Sequence, residues 1–329
     1  TMISLLARSA HALQRSAATS ARRQSTLITF DVDGTLVHGS GKGAEAGAHA
    51  RAFAHAVGAI FSPGGGPTRL PADTLKPERY HGSTDGLIAL NMAREALSVE
   101  PAVAFPKLPD VFRAMHDYVK DIEDEEFIIG LTPLPGVVPA LVRLQDLAKD
   151  GNLLCGLVTG NIEGIARKKM RATGILATGV LSPAASDQCF DGENDSTFLG
   201  GFGSDYCSGD IDDLSRNHKD RGQQIAIAYK RAQGMAASRG EVISRVVHVG
   251  DAPGDVLGAK YCAEAGLLGD GVVVKCIAVG TGRYSPGELT RLCGDSVAGK
   301  WEFCVLPEGL ADGRFIGECV VGKGAFSLS

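Results

Sequence analysis

Two β-branched runs, far apart in the chain, end in the same way. Thr26-Leu-Ile-Thr-Phe30 leads into Asp31-Val-Asp-Gly-Thr35, and Arg245-Val-Val-His-Val249 leads into Gly250-Asp-Ala-Pro-Gly-Asp255. Each is a strand-like stretch that breaks at glycine and leaves carboxylates just past its end. In a parallel sheet, residues beyond the C-terminal ends of strands converge on one crevice, where ligands bind. Four carboxylates aimed into one crevice repel by about 3 kcal/mol per pair at ~5 Å and an effective dielectric near ~20. A divalent cation offsets that repulsion. Oxygen-only ligands with water left over suit Mg²⁺, which is commonly held by one or two carboxylates and a substrate phosphate.

The rest of the chain supplies such a sheet. Asn152-Leu-Leu-Cys-Gly-Leu-Val158 reads as a buried strand ending in Thr159-Gly-Asn161, and further strands are expected at 272–279 and 302–305. Helical patterns fall between them at Val137 to Lys149, Ile162 to Thr173, Gly222 to Ser238 and near Asp255 to Gly266, with another from Glu288. Strands alternating with helices predict an α/β fold with a doubly wound, Rossmann-like parallel sheet. Residues 26–38 and 131–323 are assigned to that core. Between them, 39–130 shows no alternating strand pattern. Ala44 to Phe61, the stretch from Gly86 and Leu108 to Glu126 read as helices, so an all-helical insertion is expected. Ser83, Thr84 and Asp85 are possible caps for the middle helix. The acidic run 121–126 is read as a solvated face, because consecutive charges on a helix point in different directions.

Composition narrows the function classes. A net charge of −5 argues against a general nucleic-acid surface. No apolar run is long enough to span a membrane. Eight cysteines are scattered without a CxxC pair, which reads as incidental or buried thiols rather than a zinc or redox site. The first 25 residues are a class apart. They hold Arg8, Arg15, Arg22 and Arg23, many Ala and Ser, and no acid. On a helix, Arg8, Arg15 and Arg22 form a basic stripe, separate from Leu6 and Leu13. That is an organelle transit-peptide signature, and a mitochondrial matrix address is expected, with plastid or cytoplasmic alternatives. A basic tail without an address is the competing reading.

Chemistry can be assigned to the strand ends. Asp31 and Asp33 stand two apart, so on an extended strand end both reach one phosphorus. One carboxylate can attack as nucleophile and form an aspartyl-phosphate. The other can protonate the leaving oxygen and then deprotonate the attacking water. Thr159, Gly160 and Asn161, at a helix start, can cradle a phosphate. A transferring phosphoryl group also needs a side-chain cation. Arg221 is favoured, with Lys219 and Lys230 behind it and Lys168 or Lys169 as further candidates. Asp251 would bind the metal, and Asp255 would hold a metal-bound water or a cation.

Taken in order and on those strands, Asp31-Val-Asp-Gly-Thr35, Leu157-Val-Thr-Gly-Asn161 and Gly250-Asp-Ala-Pro-Gly-Asp255 resemble the haloacid dehalogenase superfamily of Mg²⁺-dependent phosphohydrolases. The likeness runs from about Leu27 to Asp312. Leu134-Pro-Gly-Val-Val138, Ile162-Glu-Gly-Ile-Ala166 and Gly280-Thr-Gly-Arg-Tyr-Ser285 resemble its phosphoglycolate-phosphatase-like branch. The resemblance implies Asp31 as nucleophile and Asp33 as acid/base, with the Asp33 backbone carbonyl also on Mg²⁺. It implies Thr159 as the phosphate-binding residue, and Asp31, Asp33, Asp251 and Asp255 as the metal set. The insertion 39–130 then corresponds to the helical cap, with Ser83 and Thr84 in its substrate loop. One motif departs: no Gly-Lys-Pro precedes the fourth strand, and the stretch from Phe202-Gly-Ser-Asp205 to Arg221 resembles a variant that carries Arg.

These readings predict hydrolysis of a small phosphorylated metabolite, with phosphoglycolate or a sugar phosphate as the default substrate. A phosphomutase of the β-phosphoglucomutase type shares all the core groups. Carbon–halogen cleavage needs neither a leaving-group acid nor Mg²⁺, so Asp33 and Asp251 argue against it. A non-catalytic binding protein on the same fold is the remaining alternative, and no missing core acid supports it.

Overall fold

Strand and helix alternate along the chain as the sequence predicts, with one long helical interruption. The computed structural model describes residues 23–39, 47–62, 70–71, 74, 82–149, 152–181, 199–294 and 299–320. The basic segment read as a transit peptide falls almost wholly outside the described residues. The first strand, β1 (Arg23–Phe30), is followed by the short β2 (Val37–Gly39). Among the described residues, five helices come next: α1 (Ala48–Phe61), α2 (Asp85–Leu97), α3 (Pro101–Ala104), α4 (Leu108–Lys120) and α5 (Asp124–Phe127). Strand β3 (Leu131–Pro133) returns the chain, pairing antiparallel with β2. The α/β pattern then resumes with α6 (Val137–Ala148), β4 (Leu153–Val158), α7 (Glu163–Ala172) and β5 (Gly200–Gly201). It continues through α8 (Asn217–Ser238), β6 (Glu241–Gly250), α9 (Pro253–Glu264) and β7 (Val273–Val279). Helix α10 (Pro286–Leu292), β8 (Trp301–Leu306) and α11 (Phe315–Val320) complete it.

Six strands form one parallel sheet in the order β5-β4-β1-β6-β7-β8. From β1 the chain builds out to β4 and β5 on one side and to β6, β7 and β8 on the other. The switch point therefore lies beside β1, where a crevice opens at the strand ends. Register makes the three motifs level: Phe30 pairs with Leu157 on β4 and with Val249 on β6. Asp31, Thr159 and Asp251 thus emerge at the same edge.

Each face of the sheet is covered. One apolar core packs Ile28, Phe30 and Val247 against Leu141 and Leu144 of α6 and Phe315 of α11. The other packs Leu27, Val246 and Val274 against Ile225 and Tyr229 of α8 and Val256 of α9. A third core belongs to the cap, yet it includes Ile162 and Ile165 at the start of α7. Burying a side chain of that size contributes about 1.5–3 kcal/mol, so α7 is a shared wall between cap and sheet.

Several boundaries differ from the sequence reading. Leu108 to Glu126 is not one helix; α4 ends at Lys120, and a single turn, α5, begins at Asp124. The break falls within the run of acids, whose mutual repulsion disfavours a continuous helix. Two cations of α7 hold it: Lys168 donates to the Ile122 carbonyl and pairs with Asp124 at 3.0 Å, and Arg171 pairs with Asp124 at 3.0 Å. Helix α8 starts at Asn217, five residues earlier than expected, which places Arg221 on a helix rather than in a loop. The two-glycine strand β5 and helix α11 were not expected at all.

Candidate active site

Asp31 leaves β1 with its backbone N–H donated to Val249 O at 2.8 Å, which fixes the first motif against the end of β6. Asp31, Asp251 and Asp255 are all buried, and one carboxylate oxygen from each lies within 4.8 Å of the others. The chain turns sharply after Asp33 at Gly34, whose φ is +86°. Thr35 then donates its hydroxyl to Asp251 Oδ1 at 3.1 Å. On the other side, Asp255 sits in the first turn of α9. Its Oδ2 accepts from Ala252 N at 3.0 Å, and its Oδ1 lies 3.1 Å from His248 Nε2. The opposite ring nitrogen of His248 meets Thr29 Oγ1 at 3.0 Å. Asp255 is thus fixed from its helix and from the strand beneath.

The cation at this cluster is Arg221. Its Nη1 lies 3.4 Å from Asp31 Oδ1 and its Nε 3.1 Å from Asp255 Oδ1, while Nη1 also donates to Val158 O at 3.0 Å. The Nε contact is ionic rather than a directed hydrogen bond. Among the five cations considered from sequence, Arg221 is the one the structure brings to Asp31. Lys219 lies instead over the Tyr261 ring at 5.8 Å, and Lys230 is exposed. Lys168 faces the cap, as described above.

Three carboxylates against one guanidinium leave the equivalent of one divalent charge unbalanced. The electrostatics agree. Burial pushes the Asp31 carboxyl up to about 7, with Asp255 and Asp33 adding to the rise and Arg221 opposing it. Burial, then Asp31 and Asp255, push Asp251 well above the usual carboxylate range. Asp255 goes the other way, because Arg221 and His248 outweigh its burial. The donor set is hard, anionic and all oxygen, which fits Mg²⁺. Asp31, Asp251 and Asp255 are the residues that could hold it.

Asp33, expected on the metal through its backbone carbonyl, keeps its carboxylate outside that cluster. It accepts from Lys169 Nζ at 2.7 and 2.6 Å and from Asn161 Nδ2 at 2.8 Å. Burial by its surroundings works against ionisation here, but Lys169, His49 and the bonds from Lys169 and Asn161 prevail and hold its carboxyl below the usual carboxylate range. Asn161 Oδ1 accepts in turn from Lys169 at 2.7 Å, and its Nδ2 also reaches Thr159 Oγ1 at 2.9 Å. The side chain of Asn161, read from sequence as part of a phosphate cradle, is committed to Asp33, Lys169 and Thr159. Thr159 is fully buried and accepts from Asn161, which leaves its own O–H free to donate.

The cap meets the second motif directly. Asp85 N donates to Gly160 O at 2.7 Å, and Asp85 Oδ2 accepts from Ile162 N at 2.8 Å. The same oxygen lies 3.1 Å from His49 Nε2 on α1. Gly160 has no room for a side chain, since a Cβ there would lie 2.2 Å from Ser83 O. Of the substrate-loop candidates, Thr84 caps α2 by accepting from Leu87 N at 3.4 Å, and Ser83 Oγ is buried without a hydrogen-bond partner. Sequence reasoning missed the duties of Lys169, Thr35, His49 and His248, and saw Asp85 only as a helix cap. Thr35 had a signal, its place directly after Asp-x-Asp-Gly; the others had none.

The sequence matches the family model of haloacid dehalogenase-like hydrolases over residues 26–262. Similar solved structures include a provisionally assigned phosphoglycolate phosphatase from Lactobacillus delbrueckii subsp. bulgaricus, 17% identical, with a TM-score of 0.39 and coverage of 88% of this chain and 97% of that one. A provisionally assigned β-phosphoglucomutase from Thermotoga maritima is 16% identical, with a TM-score of 0.38 and coverage of 91% and 100%. The magnesium-bound HAD-hydrolase YfnB of Bacillus subtilis, also provisionally assigned, is 15% identical, with a TM-score of 0.35 and coverage of 89% and 98%. Likeness at these scores carries nothing further. No curated protein matches the chain. The family model spans most of the chain and contains all four motifs, from Asp31 to Asp255: this chain belongs to the haloacid dehalogenase-like hydrolases.

Proposed function

We propose that the protein is a Mg²⁺-dependent phosphatase that hydrolyses a small phosphomonoester through an aspartyl-phosphate on Asp31. The observation that carries the reading is the division of the carboxylates. Asp31, Asp251 and Asp255 cluster around one guanidinium, while Asp33 is held apart by Lys169 and Asn161. Two carboxylates two residues apart therefore have different partners and can take different roles, Asp31 beside the metal acids and Asp33 open toward the crevice.

The ester binds as its monoanion and passes its proton to the Asp33 carboxylate. Asp31 attacks phosphorus as the bond to the leaving oxygen breaks, and Asp33 gives that proton to the leaving oxygen. Asp33, now a carboxylate, takes a proton from water as the water oxygen attacks phosphorus. The bond to Asp31 then breaks and inorganic phosphate is freed. Arg221 draws the Asp31 carboxylate into place and offsets charge gathered on the phosphoryl oxygens. Thr159 donates its hydroxyl to one of those oxygens. When bound by Asp31, Asp251 and Asp255, Mg²⁺ supplies charge neutralisation for the nucleophile and the phosphoryl group. The cap loop at 82–85, seated on Gly160, limits access to the crevice and favours a small substrate; the motif resemblance supports phosphoglycolate or a sugar phosphate.

Phosphate release from a panel of small phosphomonoesters, with Mg²⁺ and with chelator, tests this reading. Wild type should release phosphate from at least one ester only when Mg²⁺ is present, and Asp31→Asn should not. Flat responses across a broad panel would remove it.

A further inference from the structure

The protein spends a second buried cation on a task that Arg221 does not perform. Lys169 is only 5% exposed. Burying an ammonium is costly unless its donors find partners. Its partners are all at the site: both oxygens of Asp33, at 2.7 and 2.6 Å, and Asn161 Oδ1 at 2.7 Å. Asn161 closes the ring by donating to Asp33 Oδ2 at 2.8 Å. The Asp33 side chain is itself 48% exposed, so it is gripped from the protein side and remains accessible on the other. The neighbouring Lys168 makes none of these contacts and turns to Asp124 and Ile122 of the cap.

We infer that Lys169 is a positioning residue for Asp33, locking together with Asn161 the carboxylate that serves the leaving group and the attacking water. The site then has two cations with separate duties, Arg221 on the nucleophile and Lys169 on the acid/base. This rests on the phosphatase reading above. A lysine that served only to hold α7 in place would pair with acids at the cap, as Lys168 does. A lysine that simply attracted phosphate would keep its donors free, whereas these converge on Asp33 and Asn161.

The test is the dependence of rate on the leaving group. Nitrophenolate departs without being protonated, but an alkoxide does not, so misplacing the acid penalises alkyl esters selectively. Single-turnover rates of leaving-group release, which precede the water step that also uses Asp33, would be compared for aryl and alkyl phosphate monoesters in wild type, Lys169→Met, Asp33→Asn and the double variant. Lys169→Met is expected to lose about 100-fold on alkyl phosphates and less than about 3-fold on 4-nitrophenyl phosphate. Added to Asp33→Asn, it should cause no further loss on alkyl esters, because the two act as a unit. Equal losses on every ester, or losses that multiply in the double variant, would overturn the inference. Should Lys169→Met fail to fold, Asn161→Ser reads the same selectivity. Wild-type inactivity on all esters would remove the phosphatase reading and this inference together, whereas an active wild type with parallel losses removes this inference alone.

Discussion

Gly34 leaves the space that the Asp251 carboxylate occupies. A Cβ on Gly34 would lie 2.3 Å from Asp251 Oδ2, and the backbone there has φ +86°. The turn after Asp33 and the Asp251 carboxylate are therefore one packing unit, although the sheet alone would bring them near each other. Gly34→Ala meets both obstacles. The left-handed conformation costs about 1–2 kcal/mol, and the methyl group displaces Asp251 from the cluster. A shift of that size is enough to cost about 100-fold in rate. The expected outcome is a folded protein, by far-UV circular dichroism, whose phosphatase activity and Mg²⁺-induced thermal stabilisation are both lost. Retained stabilisation by Mg²⁺ would show that Asp251 does not need this space.

Arg221 offers a second separation. Removing it leaves Asp31 and Asp255 buried without their cation, and breaking such a pair typically costs about 3–5 kcal/mol. Arg221→Met should therefore lower the midpoint of denaturant unfolding strongly as well as abolish turnover. Lys219→Met and Lys230→Met, away from the acids, should stay within about 0.5 kcal/mol of wild type. Urea melts of the three variants decide the matter. A Lys219 variant as damaged as the Arg221 variant would reassign the cation that serves Asp31.

The parts legible in the sequence share one property: their position is set by a strand. Asp31, Thr159 and Asp251 follow β-branched runs, and parallel pairing of those runs puts them at one edge whatever the loops do. Helix borders were harder, as at Asn217, where polar residues open α8 without an apolar start signal. The clamp on Asp33 was illegible for a different reason. Lys169 and Lys168 are adjacent and chemically identical, and only the rotation of α7 sends one to Asp33 and the other to the cap. The Asp85 latch likewise depends on how the insertion folds back, which motif spacing does not encode.

That latch gives a prediction about the cap. Asp85 is buried, and its Oδ2 serves both Ile162 N and His49 Nε2. Asp85→Ala would orphan the Ile162 amide, at about 1–3 kcal/mol, and release α1 from the second motif. Hydrogen exchange should speed up in α1 and α2 and at Ile162, while β1, β6 and β7 keep wild-type protection. Exchange that accelerates equally through the sheet would mean that Asp85 supports the whole fold rather than the seat of the cap.

The electrostatics of the acid cluster set how Mg²⁺ should stabilise the protein at different pH. An unfolded Asp titrates near ~3.9, but in the fold Asp31 is raised to about 7 and Asp251 is raised well above its usual range. Between those values the metal-free folded state holds protons that the unfolded chain has released. By linkage, the contribution of these two groups to stability falls as pH rises through that window. Asp33 and Asp255 are lowered, so their contribution is lost only as pH falls below ~3.9 and stays constant across this window. The Mg²⁺-induced increment is the clean observable. At pH 5 the ion must displace a proton from Asp31, whereas at pH 8 it meets Asp31 already as a carboxylate. Saturation to about 100 times Kd corresponds to ~2.7 kcal/mol of stabilisation, and most of it should be present at pH 8 and little at pH 5 for the same Mg²⁺ concentration. Differential scanning fluorimetry at the two pH values, with and without Mg²⁺, measures the increment. It should vanish at both in an Asp31→Asn, Asp251→Asn double variant, and equal increments at pH 5 and pH 8 in wild type would show that the ion does not compete with protons at this cluster.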